Sequence, residues 1–284
     1  MNQIHPLACV HPGAKLGENV VVGPFAYIDD NVEIGDACHI MNGATVLNHV
    51  KMGKNCTVFP GAVVGAIPQD LKFEGEESWV EIGDRVNIRE CATINRGTQA
   101  SGKAVTRIGS DTLIMSYAHI AHDCQIGNHC IIVSYTGLAG ETDIHDWGVM
   151  GGKSGSHQFT KVGTHAFVAA CSRLTKDVPP YVLAGREPLV FEGVNRVGLL
   201  RRGFSEVQVN QIKDIYETLY FQGMNVSQAV EYIEANFEAT PERDTILGFI
   251  RNRQRITQLR AVRLLLHGAY MHTGYFIITA PEIT

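Results

Sequence analysis

Ile108-Gly109-Ser110-Asp111-Thr112-Leu113-Ile114-Met115-Ser116-Tyr117-Ala118-His119-Ile120-Ala121-His122-Asp123-Cys124-Gln125-Ile126 places an aliphatic residue at every sixth position. Extended outward, that column runs from Ile4 to Val64, resumes at Ile82, Ile88 and Ile94, and continues from Ile108 to Leu174, broken within the last run only by Ser156. A period of six fits neither an amphipathic helix nor a two-residue strand alternation. It fits short strands joined by tight corners, each turning one aliphatic side chain into a stacked core. Three such segments make an eighteen-residue coil of a parallel β-helix, with coils ~4.8 Å apart. The column after the aliphatic one is often glycine (Gly17, Gly23, Gly35, Gly53, Gly65, Gly83, Gly109, Gly127, Gly163), which we take to serve the corner dihedrals.

Two interruptions leave the period, about 66–79 and about 99–105. Loops on a rigid scaffold are where function concentrates. The first carries Gln69, Asp70 and Lys72; the second, Gln-Ala-Ser-Gly-Lys-Ala-Val, offers no evident chemistry. The ladder is expected to stop near Val178-Pro179-Pro180, giving a prism over 1–183 and an α-helical domain over 184–284. Ser205 is placed to cap a helix with Ile212, Ile215 and Leu219 on one face. Further helices are expected over about 226–236 and from Pro241, and the apolar tail, about 258–284, has no evident role.

The bulk numbers exclude several classes. A hydrophobic fraction of 45%, a charged fraction of 19% and a net charge of −5 describe a soluble chain with no general pull toward nucleic acid. No signal peptide or membrane span is evident, so a cytoplasmic location is expected. Of seven cysteines, Cys38, Cys56, Cys124 and Cys130 share one interior phase of the repeat, which points to packing in a reducing compartment.

Coil arithmetic gathers polar groups on one edge. Gly140 falls one coil above His122, and His157 two coils above Ala121, ~10 Å up the prism. Alone, any one of twelve histidines is more often an ordinary surface or packing group; His129, His145 and His165 sit at repeat positions with no partner in view. His119, His122, Asp123, Gly140 and His157 together suggest a site, and Ser156 breaks the aliphatic rule beside them. Three histidines also admit zinc, as in the hexapeptide-repeat γ-class carbonic anhydrases, which bind it between neighbouring prisms. A non-catalytic scaffold is the third alternative.

Pro68-Gln69-Asp70-Leu71-Lys72, Ala118-His119-Ile120-Ala121-His122-Asp123-Cys124, His157-Gln158-Phe159, Asp177-Val178-Pro179-Pro180, Gly193-Val194-Asn195 and Arg201-Arg202-Gly203-Phe204 occur in that order. In these motifs the chain resembles the UDP-N-acetylglucosamine acyltransferases that begin lipid A synthesis, over about residues 4–205. The resemblance implies a left-handed coil, against the usual crossover rule, and a homotrimer with sites between prisms. It implies that His122 acts as general base on the glucosamine 3-hydroxyl, which attacks an (R)-3-hydroxyacyl thioester on acyl carrier protein. Asp123 would orient the imidazole, and the Gly140 N–H would stabilise the oxyanion. Gln69, Asp70, Lys72, His119, His157 and Gln158 would position substrate, with Lys72 reaching a neighbouring prism's His122. Asn195 and Arg201 would contact the nucleotide. Arg173, Lys176, Arg201 and Arg202 would form a basic patch for the carrier. No cofactor or metal is implied, the acyl group arriving on the carrier's phosphopantetheine. Three positions depart from the family: Glu141 replaces histidine, Val197 replaces a glutamate found in some relatives, and Ala170 stands at the acyl-length position, glycine in some long-chain enzymes. The related N-acyltransferase carries an N-terminal domain for which a repeat starting at Ile4 is expected to leave no room.

Overall fold

The computed structural model describes residues 1–252 and the strand Arg260–Ala261. The repeat folds into a parallel β-helix whose short strands stack in ladders of twelve, nine and eight among the described residues. Successive coils are offset by eighteen residues: Ile114 pairs with Ile132, Ile120 with Leu138, and Ile126 with Ile144. These six side chains are 3% exposed or less, and burying each contributes ~1.5–3 kcal/mol. Cys38, Cys56, Cys124 and Cys130 are fully buried in the same core. The amino-terminal end is open, with Ile4 46% exposed.

Every coil turns three corners, and from Asn19 onward most of them carry a residue with positive φ. The corner between the second and third faces carries Asn31, His49, Asp123, Glu141 and Phe159, at φ between 52° and 66°. Most glycines of the repeat have no such dihedral, which corrects the corner account of that column. A Cβ on Gly109 would lie 2.5 Å from the Gly127 carbonyl carbon of the next coil. Glycine there is required by the stacking distance, while the left-handed corners are filled mainly by side chains with their own contacts.

Both insertions leave at this second corner. Met52 pairs with Ile82 and Ile82 with Ile108, so the register step lengthens to 30 and then 26 residues without losing phase. Arg96, 6% exposed, anchors them by bonding Asn48 Oδ1 at 3.2 Å and His49 Nδ1 at 2.7 Å.

The ladder outlasts Val178-Pro179-Pro180. Val182–Gly185 still pairs parallel with the strand Phe167–Val168, and Val190–Val194 then returns antiparallel on it. The expected division at 183/184 therefore cuts a strand. Among the described residues four helices follow: α1 (Arg196–Arg201), α2 (Glu206–Phe221), α3 (Val226–Asn236) and α4 (Pro241–Arg251). Ser205 caps α2 in a reciprocal box with Gln208. Buried Tyr216 on α2 donates to the Pro180 carbonyl at 2.6 Å, tying the helices to the prism end. Apart from Arg260–Ala261, which pairs with Val190 and Phe191, the tail at 258–284 lies outside the described residues.

The repeat-phase histidines do have partners, contrary to the sequence reading. His129 stacks on Trp147 at 4.1 Å, Trp147 on His165 at 5.8 Å, and His165 on Tyr181 at 5.7 Å, forming a column along the third corner. His145 meets Phe249 edge-on at 5.8 Å.

Candidate active site

In a strand, neighbouring side chains diverge to opposite faces. The left-handed turn at Asp123, φ 61°, breaks that rule and brings the Asp123 carboxylate beside His122. His122 Nδ1 lies 2.8 Å from Asp123 Oδ2, with His122 8% exposed and Asp123 fully buried. Since the carboxylate accepts, Nδ1 carries the proton and Nε2 presents its lone pair outward. The hydrogen bond to Asp123 holds the His122 pKa above its ordinary value, with burial opposing it. For Asp123, burial pushes the pKa upward, but bonds from His122, Thr98 and Ser101 together outweigh it and hold the carboxyl below its usual range.

Thr98 and Ser101 come from the second insertion, which the sequence reading passed over. Thr98 donates through its N–H at 2.9 Å and its hydroxyl at 2.7 Å, and Ser101 Oγ lies 2.7 Å from Asp123 Oδ1. Thr106 Oγ1 accepts the Asp123 N–H at 2.8 Å. The available signal was Ser101 inside the interruption with Thr98 and Thr106 flanking it, one coil below His122.

Around Nε2 the geometry is close. Asp70 Oδ2 from the first insertion stands 3.8 Å away within the same chain, so the start of that loop faces its own histidine. Gln69 and Lys72 are exposed beside it. Gly140, on the next coil, presses against the ring: a Cβ there would lie 2.4 Å from His122 Cε1. The Gly140 N–H donates to no acceptor among the described residues. Ser156, behind this turn, accepts the Ala139 N–H at 3.1 Å and shares a proton with Thr142 Oγ1 at 2.7 Å. His119 is tied through Nδ1 to Thr93 Oγ1 at 2.8 Å, and burial lowers its pKa. His157 and Gln158 are exposed farther up the corner. Glu141 follows Gly140 and donates its N–H to the His122 carbonyl at 3.0 Å.

The other expected residues stand elsewhere. Asn195 caps α1 by accepting from Gly198 N at 3.2 Å and donates to the His165 carbonyl at 3.0 Å, so its amide is engaged within the chain at the third corner. Arg202 packs its guanidinium over Trp147 at 5.2 Å and contacts His165 Nδ1 at 3.3 Å, which removes it from a simple surface patch. Arg173 and Arg201 are exposed, Lys176 is half-buried, and Ala170 is exposed at the turn between the first and second faces. Among the described residues, no three His, Cys, Asp or Glu side chains converge as a metal-ligand set, and no helix is long and apolar enough to cross a membrane.

A coiled prism with a buried His–Asp pair at one corner has the make-up of a hexapeptide-repeat acyltransferase. The family model for bacterial transferase hexapeptides matches residues 31–66 and 106–140, and that for UDP N-acetylglucosamine O-acyltransferase, domain 2, matches residues 177–257. The crystal structure of a UDP-N-acetylglucosamine acyltransferase from Bacteroides fragilis is 48% identical, covers 92% of this chain and 100% of its own, and superposes with a TM-score of 0.87. The Francisella novicida UDP-N-acetylglucosamine acyltransferase is 36% identical over 95% of this chain and 100% of its own, with a TM-score of 0.88. That of Campylobacter jejuni is 36% identical over 92% and 100%, at 0.85. This chain belongs to the UDP-N-acetylglucosamine acyltransferase family, and it is an acyltransferase.

Proposed function

We propose that this enzyme transfers an (R)-3-hydroxyacyl group from acyl carrier protein to the glucosamine 3-hydroxyl of UDP-N-acetylglucosamine, the first step of lipid A synthesis. The observation that carries this reading is the buried His122–Asp123 pair with Nε2 open beside Gly140. His122 Nε2 takes the hydroxyl proton as the oxygen attacks the thioester carbonyl. The Gly140 N–H receives the developing oxyanion. Collapse forms the ester and breaks the C–S bond, and the phosphopantetheine thiolate takes the proton back from Nε2. Asp123 holds the imidazole in the competent tautomer and stabilises its charged form.

Asp70, Lys72, His119, His157 and Gln158 then position substrate around this centre, and no metal or cofactor has a role. Asn195 and Arg201 are carried to the nucleotide end by the family resemblance, which also supplies the left-handed coil. The placement of Asn195 on a corner other than that of His122 favours a homotrimer, in which the corners of neighbouring prisms face each other across a cleft. A cytoplasmic setting suits a carrier-protein donor, with exposed Arg173 and Arg201 among the residues facing the acidic carrier.

The test is acyl transfer to UDP-N-acetylglucosamine from 3-hydroxyacyl carrier proteins of several lengths. His122→Ala is expected to lose ~10²–10⁴ in kcat, the range for removing a general base. An unaffected rate would remove His122 from the chemistry, and no transfer by wild type at any length would overturn the assignment.

A further inference from the structure

A fully buried carboxylate ordinarily holds its proton, because its charged form loses the most on leaving water. Asp123 is 0% exposed and, among the described residues, has no Lys or Arg bonded to it. The ammonium of Lys103, on the second insertion, is paired with Asp143 at 3.5 Å. What Asp123 has instead is a donor at every acceptor position. Oδ2 receives His122 Nδ1–H and Thr98 Oγ1–H; Oδ1 receives Thr98 N–H and Ser101 Oγ–H.

Ser101 has one hydroxyl proton and two acceptors in reach, the Thr98 carbonyl at 2.9 Å and Asp123 Oδ1 at 2.7 Å. An ionised acceptor makes the stronger bond, so the proton lies toward Asp123. The Lys103 N–H in turn donates to Ser101 Oγ at 3.1 Å, and such a relay polarises the hydroxyl further. The geometry continues into the backbone. Gly97 runs so close that a Cβ there would lie 2.7 Å from Asp123 Oδ1. Thr98 and Ser101 thus supply three of the four donors to this one carboxylate.

From this we infer that Thr98 and Ser101 are positioning residues, which keep Asp123 ionised without a cation and set how strongly it draws on the His122 proton. The inference rests on His122 being the general base. Charge on Asp123 is shared among four donors, so the bond to Nδ1–H is weaker than a carboxylate with fewer donors would make. The imidazole then remains basic enough to accept the hydroxyl proton and loses it again to the leaving thiolate. Other charges face the pair: Asp70 and Glu76 from the first insertion, Lys103 from the second, and Glu141 and Asp143 from the coil above. None of them bonds Asp123, and all stay in place in the variants below.

The experiment is a pH titration of the His122 imidazole by NMR, in full-length protein with labelled histidine. The resonance is assigned by its loss in His122→Gln, and the pH profile of kcat/KM is recorded alongside. Ser101→Ala removes one hydroxyl donor; Thr98→Val removes the other at nearly constant shape and keeps the N–H. Each is expected to move the His122 titration, and with it the acid limb of the profile, to higher pH by ~0.5–1 unit, a fraction of one charge-assisted hydrogen bond. Ser101→Thr restores the hydroxyl and is expected to return both. KM for the sugar nucleotide should change little.

A fall in kcat with both titrations unmoved would overturn the inference, as would a shift to lower pH. The base assignment fails separately: if His122→Ala retains the wild-type rate, the chemistry lies elsewhere even where the NMR titration has moved. If one variant fails to fold, as judged by thermal unfolding, the other still reads the same donor set.

Discussion

Gly140→Ala separates a catalytic requirement from a structural one. The added Cβ would lie 2.4 Å from His122 Cε1 and 2.5 Å from Nε2, while ordinary carbon contacts sit at ~3.5–4.0 Å. The imidazole must therefore retreat by ~1 Å, and because Nδ1 is held at 2.8 Å by Asp123 it retreats by swinging Nε2 away from the cleft. A misplacement of ~1 Å costs on the order of 10²-fold in rate. Stability should barely suffer. Gly140 needs no positive φ, what the methyl meets is the movable end of a side chain, and Gly→Ala at a compatible site returns ~0.4–1 kcal/mol through the unfolded chain. Single-turnover transfer and thermal unfolding on the same preparation read both effects. The expected result is a loss of about a hundredfold in the chemical step with an unfolding midpoint close to wild type. Transfer within about threefold of wild type would mean that the imidazole does not work from where it is found. A rate loss accompanied by comparable unfolding would reduce Gly140 to a packing residue.

Two further outcomes concern the scaffold. Burial, aided by the Arg202 charge, pushes the His165 pKa down to about 4, against ~6.5 in an unfolded chain. The unfolded state thus binds a proton that the folded state refuses between those values, so stability falls as pH drops through the window and is level above it. His165→Phe keeps a ring in the stack and should remove on the order of 1 kcal/mol of that loss at pH ~5, allowing for solvent screening; equal urea-midpoint changes in both proteins between neutral and acid pH would refute this. Gly109→Ala drives a methyl into the Gly127 backbone and is expected to cost ~2–3 kcal/mol. Gly43→Ala, at φ 66° with nothing within 4 Å, should cost only the left-handed penalty of ~1–2 kcal/mol, and the reverse ranking in urea unfolding would restore dihedral freedom as the reason for the glycine column.

The prism was legible because each six-residue segment owes the core one residue, and Ile114, Ile120 and Ile126 record that debt without reference to anything distant. What the neighbouring glycines do was not legible, since Gly109 is constrained by Gly127, eighteen residues on and visible only once the coils are stacked. His122, Asp123 and Gly140 could be aligned by the same spacing, but their contact depends on the Asp123 corner, where a dihedral decides which way a side chain points. Thr98 and Ser101 lie in a segment with no period, so no arithmetic placed them. The His129, Trp147 and His165 column was present as three aromatic rings at one phase. Stacking leaves no polar signature in a sequence, so neither that column nor the place of Arg202 over Trp147 shows there.

Translational symmetry gives a stack of equal coils no address. The corner at Asp123 recurs at Glu141 and again at Phe159, and a histidine could precede any of them. Asp123 differs because both interruptions emerge just beneath it, one delivering donors to the carboxylate and the other a second carboxylate to the imidazole. The ruler fixes distances, and the irregular segments choose the mark. Since the ladder resumes in phase after each, such segments can lengthen or change composition while Ile82 and Ile108 keep their pairing, leaving chemistry free to vary on a frame that does not.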